Sequence, residues 1–129
     1  MAFDDPEEIR ELFSAFGPVS VRRMFSGAGL FAEGVMFALR IRDDIFLKAD
    51  AETIPELKAE GSRPFSYETK KRRVVVNSLW RLPDRLLDDP EELANFARAA
   101  LAAAHRAAAK KSPLGRRKSP KTKRRAKRA

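Results

Sequence analysis

The sequence contains no cysteine. That excludes disulfides, thiolate metal sites and a cysteine nucleophile, and it removes any reason to infer an oxidising compartment. Histidine occurs once, at His105, with no second ligand or nucleophile at a useful spacing, so neither metal binding nor catalysis is expected of it. No apolar run approaches the ~20 residues of a membrane-spanning helix. The start, Met-Ala-Phe-Asp-Asp-Pro-Glu-Glu, lacks the basic and apolar regions of a signal peptide. A cytoplasmic protein without membrane insertion is the expectation.

Acidic residues are missing from Arg106 to Ala129, a segment that holds 12 of the 27 Lys and Arg residues. The remaining 15 basic residues face 18 acidic ones, so the body carries about −3 and the tail +12 by formal charge. A mildly acidic body has no general attraction to nucleic acid, whereas a dense cationic segment does. From Lys110 onward apolar residues nearly vanish, and no core can offset the entropy of ordering such a chain, so the tail is expected to be disordered when free. With 129 residues in all, the economical division is one domain over 1–109 and a Lys/Arg/Pro/Ser-rich tail over 110–129.

Along the body, Asp5-Pro6-Glu7-Glu8 is a helix start. Asp serves as N-cap, Pro takes the first helical position, and carboxylates sit near the positive end of the dipole. Ile9, Leu12, Phe13 and Phe16 continue it as an apolar stripe that Gly17-Pro18 ends. Val19 to Phe25 reads as a strand. Val35, Phe37, Leu39 and Ile41 then alternate with Met36, Ala38 and Arg40, the period of a half-buried strand. Glu33-Gly34 and Asp43-Asp44 favour hairpin turns on either side. A short helix is expected within Asp50 to Glu60, with Thr53 as N-cap so that Pro55 falls in the first turn. Pro64 to Tyr67 and Val74 to Leu82 read as further strands separated by the basic loop Lys70-Lys71-Arg72-Arg73. Asp89-Pro90-Glu91-Glu92 repeats the helix-start signature, and Leu93, Phe96, Ala97, Ala100, Leu101 and Ala104 form the stripe that follows. The order implies an α+β fold, an antiparallel sheet in two layers with the helices packed on one face.

Arg22-Arg23-Met24-Phe25-Ser26-Gly27-Ala28-Gly29-Leu30-Phe31, then Gly34 to Leu39, Leu47-Lys48-Ala49-Asp50, and Gly61-Ser62-Arg63-Pro64-Phe65-Ser66-Tyr67 together resemble the N-terminal domain of the TfoX/Sxy family. The motifs keep the family's order and spacing over roughly residues 8 to 104. The resemblance implies a two-layer arrangement like that of secretion chaperones, a protein-binding module rather than a catalyst, and a link to regulation of bacterial natural competence and transcription. Regulators of the family typically carry a second, C-terminal domain; the basic tail stands in its place here. Ser112-Pro113 and Ser119-Pro120-Lys121-Thr122-Lys123 among their cations are similar in composition to the tails of linker histones and bacterial histone-like proteins.

Gly27-Ala28-Gly29 followed by Ala32 superficially fits a dinucleotide fingerprint, but that motif needs a helix after it and a strand follows here. A turn, a bulge or close strand packing is the better reading. The carboxylates cluster at helix starts and turns, which accounts for them without acid/base chemistry. No enzyme, cofactor or metal is therefore expected. Phosphate contacts need only cations on a flexible chain, which assigns nucleic acid to Lys110, Lys111, Arg116, Arg117, Lys118, Lys121, Lys123, Arg124, Arg125, Lys127 and Arg128. A secondary anion or partner patch would draw on Arg22, Arg23, Lys48, Lys70, Lys71, Arg72 and Arg73. Arg22 and Arg23, adjacent on a strand, point to opposite faces, one packed under the helices and the other exposed. Trp80, Tyr67 and Phe65 would stack bases on an exposed face; on strands of so small a domain they read as core. Two functions follow: a regulatory or nucleoid-associated protein whose tail holds nucleic acid, and a protein-interaction module whose tail is a solvated appendage.

Overall fold

The computed structural model describes residues 5–24 and 27–111. The expectation of a disordered tail, and Phe25 as the end of the first strand, lie outside the described residues. The elements are α1 (Pro6–Leu12), β1 (Ser20–Met24), β2 (Gly27–Ala32), β3 (Val35–Ile41), β4 (Asp44–Lys48), α2 (Ile54–Ala59), β5 (Pro64–Glu68), β6 (Arg73–Arg81), a 3-10 turn (Asp84–Asp88) and α3 (Pro90–Lys111). All six strands form one antiparallel sheet in the order β1-β2-β3-β4-β6-β5.

Both helix starts obey local capping chemistry. Asp5 accepts the Glu7 amide at 2.9 Å ahead of Pro6, and Asp89 accepts the Glu92 amide at 3.2 Å ahead of Pro90. The first helix is shorter than its apolar stripe suggests: it ends at Leu12, and Phe13 to Phe16 form a turn in which the Phe16 and Gly17 amides both donate to the Phe13 carbonyl. That turn still aims Phe13 and Phe16 into the core. Thr53 precedes α2 as expected, but its hydroxyl closes a turn on Asp50 and makes no cap bond to the helix.

The β2–β3 hairpin turns at Glu33 and Gly34, both with positive φ, +52° and +81°, the pattern of the turn that matches strand twist. The next hairpin turns one residue earlier than the Asp pair implied. Arg42, at φ +57°, and Asp43 make the turn, and Asp44 already belongs to β4. Gly27 is required by space: a Cβ there would lie 1.9 Å from the carbonyl oxygen of Arg40 on the neighbouring strand. Gly27→Ala is thus expected to lower the urea midpoint by an amount equivalent to about 1–3 kcal/mol or more, as overpacking does; an unchanged midpoint would show that β2 and β3 separate freely.

Ile9 and Phe13, Leu57 of α2, and Leu93, Phe96, Ala97, Ala100 and Ala104 of α3 share one core with Leu30, Phe37, Ala38, Leu47 and Trp80 of the strands. All three helices therefore cover one face of the sheet, and α3 lies across β3 and β4. The alanines on its buried stripe allow close approach to the sheet. The opposite face carries no helix among the described residues.

Candidate nucleic-acid interface

Lys110 and Lys111, read from composition as the first tail residues, are the last two residues of α3. Lys110 is exposed, and cations at a helix C-terminus complement the negative end of its dipole. Arg116, Arg117, Lys118, Lys121, Lys123, Arg124, Arg125, Lys127 and Arg128 lie outside the described residues. The end of α3 from which they follow is tied down. Arg106 Nε and Nη2 donate to Asp50 Oδ2 and Oδ1 at 2.7 and 3.1 Å, and His105 Nε2 meets Glu33 Oε1 at 2.8 Å. The start of α3 is held as well, because Arg85 grips Glu60 through two bonds of 2.7 and 2.9 Å and reaches Glu92 at 3.4 Å.

These pairs explain the shifted carboxyls. Bonding to Arg106 holds Asp50 below the usual carboxylate range, against the opposing effect of burial and with help from the Glu52 and Thr53 backbone. Arg85 does the same for Glu60. Arg106 and Arg85 are raised in return, chiefly by those same bonds. For Arg81, burial pulls downward, but Asp84 and Asp44 at 3.1 and 3.2 Å outweigh it and the net shift is upward. A folded-state pKa below the unfolded one means that the folded chain favours the ionised carboxyl. The contribution of Asp50 is then complete above about pH 4–5 and lost as pH falls through its lowered value. Asp50→Asn is expected to lower the urea midpoint at pH 6 and to approach the parent as pH falls below the usual carboxylate range. A constant difference across that range would assign the effect to something other than the charge.

The cations of the secondary patch do not share one place. Arg22 and Arg23 sit on β1 at one edge of the sheet, Lys48 is on β4 in its middle, and Lys70 to Arg72 form the β5–β6 turn at the other edge, with Arg73 the first residue of β6. Five strand spacings of about 4.8 Å put β1 and β5 roughly 24 Å apart. Both arginines of β1 are exposed, so neither is packed under the helices. Arg22 instead lies over the Phe31 ring, 5.1 Å from its centroid, a cation–π contact on the uncovered face.

That uncovered face also holds aromatic rings. Phe46 and Phe65 meet edge to face at a centroid distance of 5.0 Å, and Phe65 and Tyr67 follow at 5.9 Å with ring planes 34° apart. They line an open trough of about 690 Å³ with Ile41, Arg42, Asp44, Arg63, Glu68 and Arg81. Tyr67 is 47% exposed. Trp80 points the other way, is buried in the core, and donates its indole N–H to the Asn77 carbonyl at 2.9 Å.

A family model described as TfoX N-terminal domain matches residues 11–104, which takes in all six strands and most of α3. The chain belongs to the TfoX N-terminal domain family. No curated protein matches it. The trough and its aromatic ladder lie inside the TfoX-type domain, whereas the eleven tail cations lie beyond the matched residues. Among the described residues no helix is long and apolar enough to cross a membrane, and no cluster of three His, Cys, Asp or Glu side chains is placed to hold a metal ion.

The ladder is what the reading of the TfoX-type sequence missed. Of the three aromatic residues taken as core, only Trp80 is. Phe65-Ser66-Tyr67 alternates, which places both rings on one face, but alternation does not say which face the helices cover.

Proposed function

We propose that this TfoX-like protein is a non-enzymatic regulatory or nucleoid-associated protein of the cytoplasm whose basic C-terminal segment binds nucleic acid without sequence preference. The observation that carries the reading is the charge division: 12 cations and no acid from Arg106 onward, against 15 cations and 18 acids before it. Such a segment neutralises phosphates and releases counterions from any duplex. Lys110, exposed at the end of α3, continues the cationic run back onto the folded body. The non-enzymatic part rests on the shifted carboxyls, Asp50 and Glu60, each of which is explained by an arginine that ties a helix to a loop. A role in transcription or competence regulation is part of this reading and has family membership as its one support.

The test uses the full-length chain. Replacing the nine Lys and Arg residues from Arg116 to Arg128 with Gln leaves every described residue unchanged, whereas cutting at Ala109 would shorten α3. The neutralised chain is expected to keep its melting temperature and to lose duplex DNA binding measured by fluorescence anisotropy. Equal affinity of the two chains at equal salt would sink the reading. No binding by either would favour the second reading, a protein-interaction module, to which the uncovered sheet face with its apolar half-buried residues gives specific support.

A further inference from the structure

We propose that the trough on the uncovered face, between Arg63 and the Lys70 to Arg72 turn, is a binding site for single-stranded nucleic acid, with bases stacking on Tyr67 and Phe65. The proposal shares with the function above only the class of ligand; its site is on the body and does not involve the tail. Two independent features converge there. The first is the run of rings Phe46, Phe65 and Tyr67, whose outermost member presents half its surface to solvent. A large aromatic side chain left this exposed on a rigid strand offers a π face that any base can use.

The second feature is charge. β5 is bracketed by Arg63 before it and by Lys70, Lys71 and Arg72 after it, with Arg73 opposite Glu68 and Arg42 across the trough. All six of these cations are exposed. Among the described residues none of the six makes an ion pair. Of the two carboxylates that line the trough, Asp44 is already engaged by Arg81 at 3.2 Å and Glu68 stands in register with Arg73. The β5–β6 turn is pinned, because the Thr69 hydroxyl donates to the Arg72 carbonyl at 2.9 Å and accepts the Arg72 amide at 3.1 Å. The basic turn is therefore held against the end of the strand that carries Tyr67. An apolar partner would leave Arg42 and Arg63 of the lining, and the cations of the turn beyond β5, without counter-charges. A polyanion with exposed bases satisfies rings and cations together. Bases in a duplex are stacked on each other and present no free face to a sheet, so the occupant is single-stranded.

The experiment compares a 12-nucleotide deoxythymidine oligomer with an abasic 12-mer of the same charge, both titrated into the full-length chain. The tail attracts the two equally. Stacking should make the base-bearing oligomer bind about 5- to 100-fold more tightly. Tyr67→Ala should shrink that difference several-fold, Tyr67→Phe should retain most of it, and neither should change the affinity for duplex DNA. Tyr67 is the only tyrosine, so ring-proton NMR signals of labelled tyrosine should move upfield with the thymidine oligomer and stay in place with the abasic one. Equal binding of the two oligomers, or a Tyr67→Ala chain that distinguishes them as strongly as the parent does, overturns the proposal. The two readings fail separately: loss of duplex binding on neutralising the tail bears on the tail alone, and discrimination between the oligomers bears on the trough alone.

Discussion

Raising salt from 50 to 200 mM is expected to weaken duplex DNA binding by the intact chain about 10³- to 10⁴-fold. The cations expected to make the contacts are Lys110 and Lys111 at the end of α3 and the nine from Arg116 to Arg128. If roughly half to two-thirds of them reach phosphates, about six to eight counterions are displaced, and log K should fall with log salt at a slope of about −5 to −7. The chain with Gln at the nine outer positions keeps at most two of these contacts, and its slope should drop to about −2 or shallower. Permuting the residues from Ser112 to Ala129 at constant composition should leave slope and affinity nearly unchanged, because phosphate contacts position a chain and carry no sequence information. A shallow slope for the intact chain, or a strong dependence on the order of residues, would replace the electrostatic account with a folded and specific one.

Phe37→Ala is expected to destabilise the body by about 3–5 kcal/mol, the usual cost of emptying a buried aromatic site. Phe37 has no exposed surface. Its ring meets Phe13 edge on at 5.5 Å and Phe16 at 5.0 Å, so it joins the α1 segment to the sheet. The register of β2 with β3 passes from Leu30–Ala38 to Phe31–Met36, which makes Phe37 the extra residue of a bulge. Bulges re-aim a side chain, and here Phe37 and Ala38 are both turned into the core. Loss of its ring leaves a cavity that the Phe13 to Phe16 turn and a bulged strand border, with little freedom to close. Against a total stability of about 5–15 kcal/mol, the melting temperature should fall by roughly 15–30 °C. Val75→Ala, at a residue 49% exposed on β6, should stay within about 0.5 kcal/mol of the parent. A Phe37→Ala chain that melted as the parent does would show that the α1 segment is not docked through this ring.

Much of the fold was legible because it depends on contacts within a few residues. Asp-Pro-Glu-Glu begins both α1 and α3 because capping needs only the next turn of chain. Glu33-Gly34 turns the β2–β3 hairpin because positive φ is a property of those two positions. The alternation from Val35 to Ile41 marked a strand but not its faces, because the bulge turns Phe37 and Ala38 both into the core and leaves Ile41 lining the trough on the open face; composition alone separated the acidic body from the basic segment. Tertiary structure decided the rest. It placed β6 between β4 and β5, so that Arg81 meets Asp44, 37 residues away. It put Arg22 and Lys70 to Arg72 at opposite edges, where no spacing in the chain could have shown them apart. It also chose which face the helices bury, turning Trp80 inward and leaving Phe65 and Tyr67 outward. The period of two marks two faces equally. Only the docking of α1, α2 and α3, which removes the larger apolar surface from water, makes one of them the core and leaves the other open.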